Sequence, residues 1–207
     1  MSIETTQKKL NQFFLDKLNQ FGISSKGVGY NGKQAHETRF EQLIKLLDRN
    51  NHFSLIDYGC GYGALYDYLA SAGYELDYYG YDIMPEMVQI AKDKHKSLPN
   101  VRFFENEKHL PISDYLIAGG IFNVKFECSD EDWTKHILLH LGRMNRLCKK
   151  GFSFDLLTSY SDKEKMQAEL YYADPCFFFD FCKRNFSRNV ALLHDYQIFD
   201  FTIIVRK

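Results

Sequence analysis

A glycine-rich turn directly after a short apolar run constrains the fold of this chain more than any other feature. Residues 53–57 read Phe-Ser-Leu-Ile-Asp and predict a strand, and three glycines follow at alternate positions, Gly59, Gly61 and Gly63. Glycine permits a tight turn and lets a ligand approach the backbone closely. Where such a turn opens a helix, the unpaired amides of the first helical turn face that ligand. The pattern therefore predicts a nucleotide-type ligand at the carboxyl end of this strand.

After residue 53, short apolar runs alternate with helical patterns. Further strands are expected at 76–81, 101–104, 115–118 and 152–157. Helices are expected at 62–72, 85–95 and 130–148, with helical material at 161–185. This alternation predicts a parallel sheet covered by helices on both faces. The last two runs, 190–193 and 201–205, lie too close together for a parallel crossover and must pair as a hairpin. We expect an α/β fold with a doubly wound, mostly parallel, seven-stranded sheet and an antiparallel C-terminal hairpin.

Residues 1–50 precede this alternation and differ from it. Apolar residues recur at helical spacing over 5–20 and again over 34–49. The segment between them, 21–32, holds four glycines in twelve residues and predicts a mobile loop. We expect residues 1–50 to form a helical cap or lid, hinged at Gly27–Gly32, over a core formed by 51–207.

Charge and cysteine content limit the partners of the chain. Lys plus Arg number 26 and Asp plus Glu 27, which gives a formal charge of -1 and no basic excess for nucleic acid. We expect no nucleic-acid partner. No signal-peptide core and no run of roughly 20 apolar residues occurs, so we expect no membrane partner either. The five cysteines are odd in number and lack a C-x-x-C pair, which predicts reduced thiols, a cytoplasmic location and no metal.

Two aspartates flank the glycine turn. Asp57 ends the first strand and Asp82 closes the second, where a carboxylate can accept hydrogen bonds from both hydroxyls of a ribose. Gly59, Gly61 and Ala64 also fit the G-x-G-x-x-A pattern, so an NAD(P)-dependent oxidoreductase is an alternative. An acid at position 57, however, would repel a pyrophosphate but can receive an ammonium group. No Tyr-x-x-x-Lys occurs, and together these observations favour a methyl donor.

With these features the sequence resembles the class I S-adenosylmethionine-dependent methyltransferases. Residues 53–63, 76–84, 101–107 and 115–123 match the successive motifs of that family in order, and 190–205 matches its closing hairpin. The resemblance implies a Rossmann-like methyltransferase fold, S-adenosyl-L-methionine as cofactor and S-adenosyl-L-homocysteine as product. A narrower likeness is to small bacterial methyltransferases of surface-polysaccharide or specialised-metabolite pathways. It is carried by Arg39-Phe40-Glu41, Gly119–Asn123 and Tyr171–Pro175.

By this resemblance the glycine turn holds the methionine end of the cofactor. Gly59, Gly61 and Gly63 would pack beneath it, and Asp57 would hold its amino group, directly or through water. Gly119, after the fourth strand, would line the floor of the same site.

By the same resemblance, residues that follow the second and third strands would bind the nucleoside end of the cofactor. Asp82 would bind the ribose, with Ile83 and Met84 beside the adenine. Glu105 and Asn106 stand where family members contact the adenine amine, although that position commonly carries a Gly-Asp pair.

Methyl transfer from a sulfonium is an in-line displacement, so the protein mainly aligns the acceptor and excludes water. An amine acceptor must be unprotonated and an aliphatic hydroxyl also needs a general base, whereas no metal is necessary. His194, expected near the carboxyl end of a strand, is the candidate base, and Tyr160 is a second catalytic candidate. His36 is a lesser candidate that we expect to be exposed.

The remaining candidates are residues that would bind the methyl acceptor. Substrate-binding candidates over the ends of the fourth and fifth strands and under the cap are Arg39, Asn123, Tyr171 and Tyr172. We expect a monomer or homodimer that methylates oxygen or nitrogen of a small polar molecule. A nucleoside-binding module without catalytic activity remains the non-enzyme alternative, because no general base is secure.

Overall fold

Seven strands form one mixed sheet. The computed structural model describes residues 3–207; Met1 and Ser2, the first residues of the expected cap, lie outside the described part. The strands are β1 Phe53–Tyr58, β2 Leu76–Tyr81, β3 Val101–Phe104, β4 Ser113–Ala118, β5 Cys148–Leu157, β6 Asn189–Leu193 and β7 Asp200–Arg206. Their order across the sheet is β3-β2-β1-β4-β5-β7-β6. The first five strands are parallel and β7 runs antiparallel to both β5 and β6. The expected mostly parallel sheet with its closing hairpin is confirmed.

Six α-helices flank the sheet. They are α1 Ile3–Phe21, α2 Lys33–Leu43, α3 Ala64–Ser71, α4 Pro85–His95, α5 Asp130–Leu147 and α6 Pro175–Asn185. Several helix starts follow from local chemistry. Pro85 opens α4, where its missing N–H costs nothing. Ser129 caps α5 by accepting a hydrogen bond from the Asp132 amide at 3.1 Å. No helix within residues 3–207 is long and apolar enough to cross a membrane.

Residues 161–174 are not the helix that the sequence predicted. They contain one 3-10 turn, Lys163–Lys165, and a bridge that pairs Ala173 with Thr158. The Asp174 carboxylate accepts a hydrogen bond from the Cys176 amide at 2.8 Å and so starts α6 at Pro175. The Tyr171 amide donates to the Asn123 carbonyl in the loop after β4, and the Ala173 amide donates to the Leu157 carbonyl at the end of β5, so the segment runs as an irregular strap beside these strand ends.

The two N-terminal helices pack on opposite faces of the sheet. Leu10 of α1 belongs to the buried cluster that includes Tyr58 and Trp133. Phe40 and Leu43 of α2 belong to the other cluster, with residues of β1 and β4. The chain between them therefore passes over the carboxyl ends of the parallel strands. The division into a cap, 1–50, and a core, 51–207, stays a prediction.

Candidate active site

The glycine turn after β1 has a backbone that other residues rarely adopt. Gly59 has a φ of 92°, in the left-handed region, and a Cβ there would overlap the Ile121 side chain. The amides of Gly59 and Cys60 donate to the Tyr81 carbonyl at 2.7 and 2.9 Å, which ties the turn to the end of β2. Glycine is therefore required at position 59 both for the turn and for the close packing above it.

Asp82 is fixed by the turn that it faces. Its carboxylate accepts hydrogen bonds from the amides of Gly61 and Met84, both at 2.9 Å. Burial raises the pKa of Asp82, while the backbone hydrogen bonds oppose that rise. A carboxylate has about four lone-pair sites, so capacity for two ribose hydroxyls remains.

Asp57 lies under the same turn and is 5% exposed. The Tyr78 hydroxyl donates a hydrogen bond to one of its carboxylate oxygens. Burial raises the pKa of Asp57 to about 7, with the Tyr78 hydrogen bond opposing the rise and the charge of Asp82 adding to it. A buried acid without a cation beside it suits a ligand that brings its own positive charge.

A cavity of about 180 Å³ lies over the turn, at the carboxyl ends of β1, β2 and β4. Seven of the ten cofactor candidates line it: Asp57, Gly59, Gly61, Asp82, Ile83, Met84 and Gly119. The opposite wall comes from the N-terminal region: Gln7, Leu10, Asn11, Phe14, Val28 and Tyr30. The structure thus brings the predicted strand-end residues together beneath the predicted cap.

Three cofactor candidates do not line the cavity. Glu105 pairs with Lys92 at 3.2 Å on an exposed surface. Asn106 caps a 3-10 turn by accepting from the Lys108 amide at 3.0 Å. Gly63 faces the side chains of His95 and Phe103 instead. β3 ends at Phe104, and the chain then turns toward solvent, which carries both polar side chains away from the cavity.

The two catalytic candidates lie together but away from the cavity. The rings of Tyr160 and His194 are 5.8 Å apart, and both residues are exposed, Tyr160 by 72%. His194 does follow β6 at the carboxyl-end side of the sheet, as predicted, but β6 is the edge strand. The intervening β5 and β7 separate this pair from β4 and from the glycine turn.

The acceptor candidates beyond β4 hold loops in place. The Asn123 side chain accepts from the Leu157 amide at 3.1 Å, and its carbonyl accepts from the Tyr171 amide at 2.9 Å. Tyr171 is buried, with its hydroxyl 2.6 Å from that of Thr134. Tyr172 accepts from the Gln167 amide at 3.0 Å. None of these three side chains lines the cavity.

Arg39 points to a buried pair of acids. Its guanidinium forms an ion pair with Asp200, and its Nε lies 3.7 Å from Asp155. Asp155 in turn accepts from the Gly120 amide at 2.6 Å. Burial raises the pKa of Asp200 to about 7 and also raises that of Asp155, against the lowering effect of Arg39. Arg39 therefore connects α2 to β5 and β7 and, through Asp155, supports the turn at Gly119 and Gly120.

Sequence reasoning missed several aromatic and histidine side chains of the cavity wall. His36, expected to be exposed, is only 6% exposed and stacks on Tyr30 with ring centres 3.9 Å apart. On α5, three further rings line the cavity: Trp133, His136 and His140. Their spacing of three and four residues places them on one helix face, which is the signal that could have identified them.

The arrangement can hold a cationic nucleoside. The backbone of the turn is accessible, one acid suits an ammonium group, a second suits a diol, and aromatic rings supply apolar walls. Within residues 3–207 no group of three or more His, Cys, Asp or Glu side chains is arranged to hold a metal ion.

Comparison with known proteins places the chain in a family. The family model described as a methyltransferase domain matches residues 55–151. A protein of Mycobacterium tuberculosis (strain ATCC 25618 / H37Rv) named "Putative methyltransferase Rv1506c" is 47% identical over 164 residues, which span 79% of this chain and 99% of that protein.

Solved structures share the fold at low sequence identity. The N-methyltransferase NodS of Bradyrhizobium japonicum, in complex with S-adenosyl-L-homocysteine, has a TM-score of 0.65 and 11% identity, over 95% of this chain and 97% of its own. The magnesium protoporphyrin IX methyltransferase of Synechocystis, with bound S-adenosylmethionine, has a TM-score of 0.58 and 16% identity, over 84% and 78%. Human N-acetylserotonin methyltransferase has a TM-score of 0.62 and 17% identity, over 99% and 57%.

Proposed function

The chain belongs to the class I S-adenosylmethionine-dependent methyltransferases, and we propose that it methylates an oxygen or nitrogen of a small polar metabolite. Sugars, amino-alcohols and phosphorylated intermediates are the candidate acceptors. The observation that carries the proposal is the cavity whose floor is the glycine turn and whose roof is α1 and the segment that follows it. Because this roof lies over the turn, the site favours a small acceptor over a macromolecule, which would need a broad open surface.

The residues present fit the cofactor. When bound, S-adenosylmethionine supplies a methyl group on a sulfonium, a cation with a good thioether leaving group. We propose that Asp57 holds the amino group, that Asp82 accepts from the ribose hydroxyls, and that Ile83 and Met84 flank the adenine. The cavity lining supports this assignment, because Asp57, Gly61 and Asp82 all face the same space.

The N-terminal region is proposed to act as a lid. α1 contributes Gln7, Leu10, Asn11 and Phe14 to the cavity wall, and displacement of α1 or of the segment 22–32 would widen the entrance for the cofactor. Exclusion of water favours displacement at the sulfonium. α2, by contrast, packs into the core through Leu43, so the moving part of the cap is α1 with the glycine-rich segment.

The cellular setting proposed for the enzyme is the cytoplasm. All five cysteines are free thiols, and four of them are buried, which suits a reducing compartment.

Ligand-dependent thermal unfolding tests the function. S-adenosyl-L-homocysteine should raise the melting temperature, whereas NADH and NADPH should not. Asp82→Ala should abolish that shift, since it removes the proposed ribose contact; Asp195→Ala, an exposed acid beside β6, is the matched control and should retain it. A shift with a dinucleotide alone would refute the proposal. The release of S-adenosyl-L-homocysteine in a screen of amino-alcohol phosphates, sugar nucleotides and phenols would then identify the acceptor.

A further inference from the structure

The link between β3 and β4 differs from the other parallel crossovers of the sheet. The crossovers that follow β1, β2 and β4 contain α3, α4 and α5, whereas residues 105–112 contain only the 3-10 turn Glu107–His109. The two expected adenine contacts in this link, Glu105 and Asn106, do not line the cavity. Any side chain that recognises the base of the cofactor therefore comes from another part of the cavity wall.

Helix α1 packs beside this link and beside the start of α5. Leu10 of α1 shares a buried cluster with Leu110 of the link. Phe13 lies 5.9 Å from Phe126, measured between ring centres, and Lys9 pairs with Glu127, both just before α5. Since residues of both helices line the cavity, α1 and α5 form neighbouring walls of it.

A row of four rings leads from the end of β2 to α5. The ring centres of Tyr81 and Tyr58 are 4.9 Å apart, those of Tyr58 and His140 5.8 Å, and those of His140 and His136 4.5 Å. All four side chains of this ring row line the cavity. Tyr81 immediately precedes Asp82, the proposed ribose contact, so the row begins where the ribose would lie.

The ring row suits the base of the cofactor. The base of a nucleoside is bonded directly to its ribose. With the ribose at Asp82 and the methionine end on the glycine turn, the base would lie at the end of the cavity formed by Ile83, Met84 and the ring row. A purine stacks readily on aromatic rings, so this wall supplies the surface that a flat base needs.

His136 has both ring nitrogens free. Tyr58 and His140 already bond to each other, with the hydroxyl oxygen 2.9 Å from Nδ1. The half-buried His136 ring contacts only the rings of Trp133 and His140, and within residues 3–207 its nitrogens have no hydrogen-bond partner. A side chain in the cavity wall with unused hydrogen-bonding groups is suited to bind a ligand there.

The protonation state of His136 matches a neutral base. Burial, with the charge of Arg143 adding to the effect, lowers the pKa of His136, so the ring is neutral at physiological pH. A neutral imidazole has one donor and one acceptor. The ring nitrogens of adenine accept hydrogen bonds and its 6-amino group donates them, so His136 can bond to adenine without placing a charge in the cavity.

Helix α1 adds a pair of amides to the neighbouring wall. Gln7 Nε2 donates to Asn11 Oδ1 at 3.3 Å, and both side chains line the cavity. This bond leaves the Gln7 carbonyl oxygen as an acceptor and the Asn11 amide nitrogen as a donor. The two helices thus offer polar groups of both kinds to the edge of a base.

We propose that α5 and α1, and not the loop after β3, recognise the adenine of S-adenosylmethionine, with His136 as its hydrogen-bond partner on α5. This inference rests on the proposed function. His136 then selects the cofactor through its base and transfers no proton in the reaction. Because the base would lie beside α1, the cofactor alone, before any acceptor binds, should hold this helix in place.

Binding of modified cofactor products tests the contact without turnover. The ligands are S-adenosyl-L-homocysteine and three analogues of it, in which hydrogen replaces the 6-amino group, CH replaces N1 or CH replaces N7. Titration calorimetry measures each affinity. At least one analogue should bind the wild type about three- to tenfold more weakly than S-adenosyl-L-homocysteine, the range for one neutral hydrogen bond.

His136→Phe identifies the partner of the missing atom. The variant keeps a ring against Trp133 but has no nitrogen. The same analogue should bind it within about twofold of S-adenosyl-L-homocysteine, because the hydrogen bond is already lost. Comparing two ligands in one variant cancels any general loss of structure, so a purely structural role of His136 would leave the wild-type ratio unchanged. Should His136→Phe fail to fold, His136→Leu, apolar and a better helix former, is compared in the same way.

Two variants in the link between β3 and β4 are the controls. His109→Phe changes an exposed histidine outside the cavity, and Glu105→Gln changes the contact that the sequence predicted. Both should keep the wild-type ratio of affinities. Loss of the ratio in Glu105→Gln would show that the loop after β3 recognises the base and would overturn the inference.

The remaining outcomes separate this inference from the proposed function. Equal affinity of the wild type for all four ligands, or the same loss for each analogue in the wild type and in His136→Phe, would also overturn the inference. In either case S-adenosyl-L-homocysteine would still bind, and the proposed function would stand. Failure of the wild type to bind S-adenosyl-L-homocysteine at all would instead refute the proposed function.

Discussion

Asp57 is a buried acid whose proposed role in binding is set against a cost in stability. Its carboxyl lies under the glycine turn with the Tyr78 hydroxyl as its partner, and burial raises its pKa to about 7. Since the folded-state pKa lies above the unfolded value, folding takes up a proton between these two values. The contribution of Asp57 to stability is therefore present at acidic pH and is lost as the pH rises through about 7.

Asp57→Asn should separate the two roles. The amide keeps the size of the side chain and can still accept from Tyr78, but it carries no charge at any pH. At pH 8 the unbound variant should unfold at the same temperature as the wild type or higher. Its affinity for S-adenosyl-L-homocysteine should fall at least about tenfold, on the order of one lost charge-assisted hydrogen bond. Thermal unfolding measures the stability and titration calorimetry the affinity, each at pH 5.5 and pH 8. Undiminished affinity for S-adenosyl-L-homocysteine would show that Asp57 does not bind the cofactor.

At the scale of elements, helix α2 makes contacts with residues that are far away in the sequence. Arg39 extends from this helix to Asp155 on β5 and Asp200 on β7, strands more than 100 residues away in the chain. Both acids are fully buried, and Asp155 Oδ2 and both carboxylate oxygens of Asp200 have no hydrogen-bond partner, so these oxygens depend on the charge of Arg39. Removing the guanidinium would leave two buried acids without a counter-charge.

Arg39→Met should consequently destabilise the protein by about 3–5 kcal/mol at pH 8, the range for breaking a buried ion pair. The loss should be smaller at pH 5.5, because the two acids, whose pKa values are already raised by burial, are then more protonated. Urea denaturation at both pH values measures this. Adding Asp200→Asn should restore part of the stability, and Arg184→Met, an exposed ion pair on α6, should cost little. Equal losses in the two arginine variants would contradict this account.

For the whole molecule, the consequence of the fold is that α1 and the segment 22–32 lie over the cavity at the carboxyl ends of the strands, where we propose that they act as a lid. Hydrogen exchange measures this directly. S-adenosyl-L-homocysteine at 100 times its dissociation constant should slow amide exchange in α1 and in 22–32 by up to about 100-fold, wherever exchange requires the lid to open and release the ligand. α6, which contributes nothing to the cavity, is the internal control and should change little. Equal protection of α1 and α6, or none in α1, would argue against the lid.

The strands and the turn were predictable because their signals are local. Runs such as Leu55-Ile56 and Ile203-Ile204 mark buried strands, and glycines at 59, 61 and 63 mark the turn wherever the rest of the chain goes. The hairpin followed from the short separation of its two strands. The prediction of helix at 161–174 was wrong for a non-local reason, since the amides of Tyr171 and Ala173 bond to Asn123 after β4 and to Leu157 at the end of β5.

The mostly parallel sheet and the methyltransferase family were thus predictable from the order of the residues along the chain, and the carboxyl ends of β1 and β2 stay the predicted place for the cofactor. Their physical basis is periodicity and backbone freedom, which act over a few residues at a time. Which polar side chains face the cavity was decided by packing alone. His36 and Tyr30 stack on each other in the cavity wall, next to Arg39 with its partners Asp155 and Asp200. His194 follows an edge strand, and β5 and β7 separate it from the glycine turn. Such partners lie far apart in sequence, and only the folded chain brings them within reach of one another.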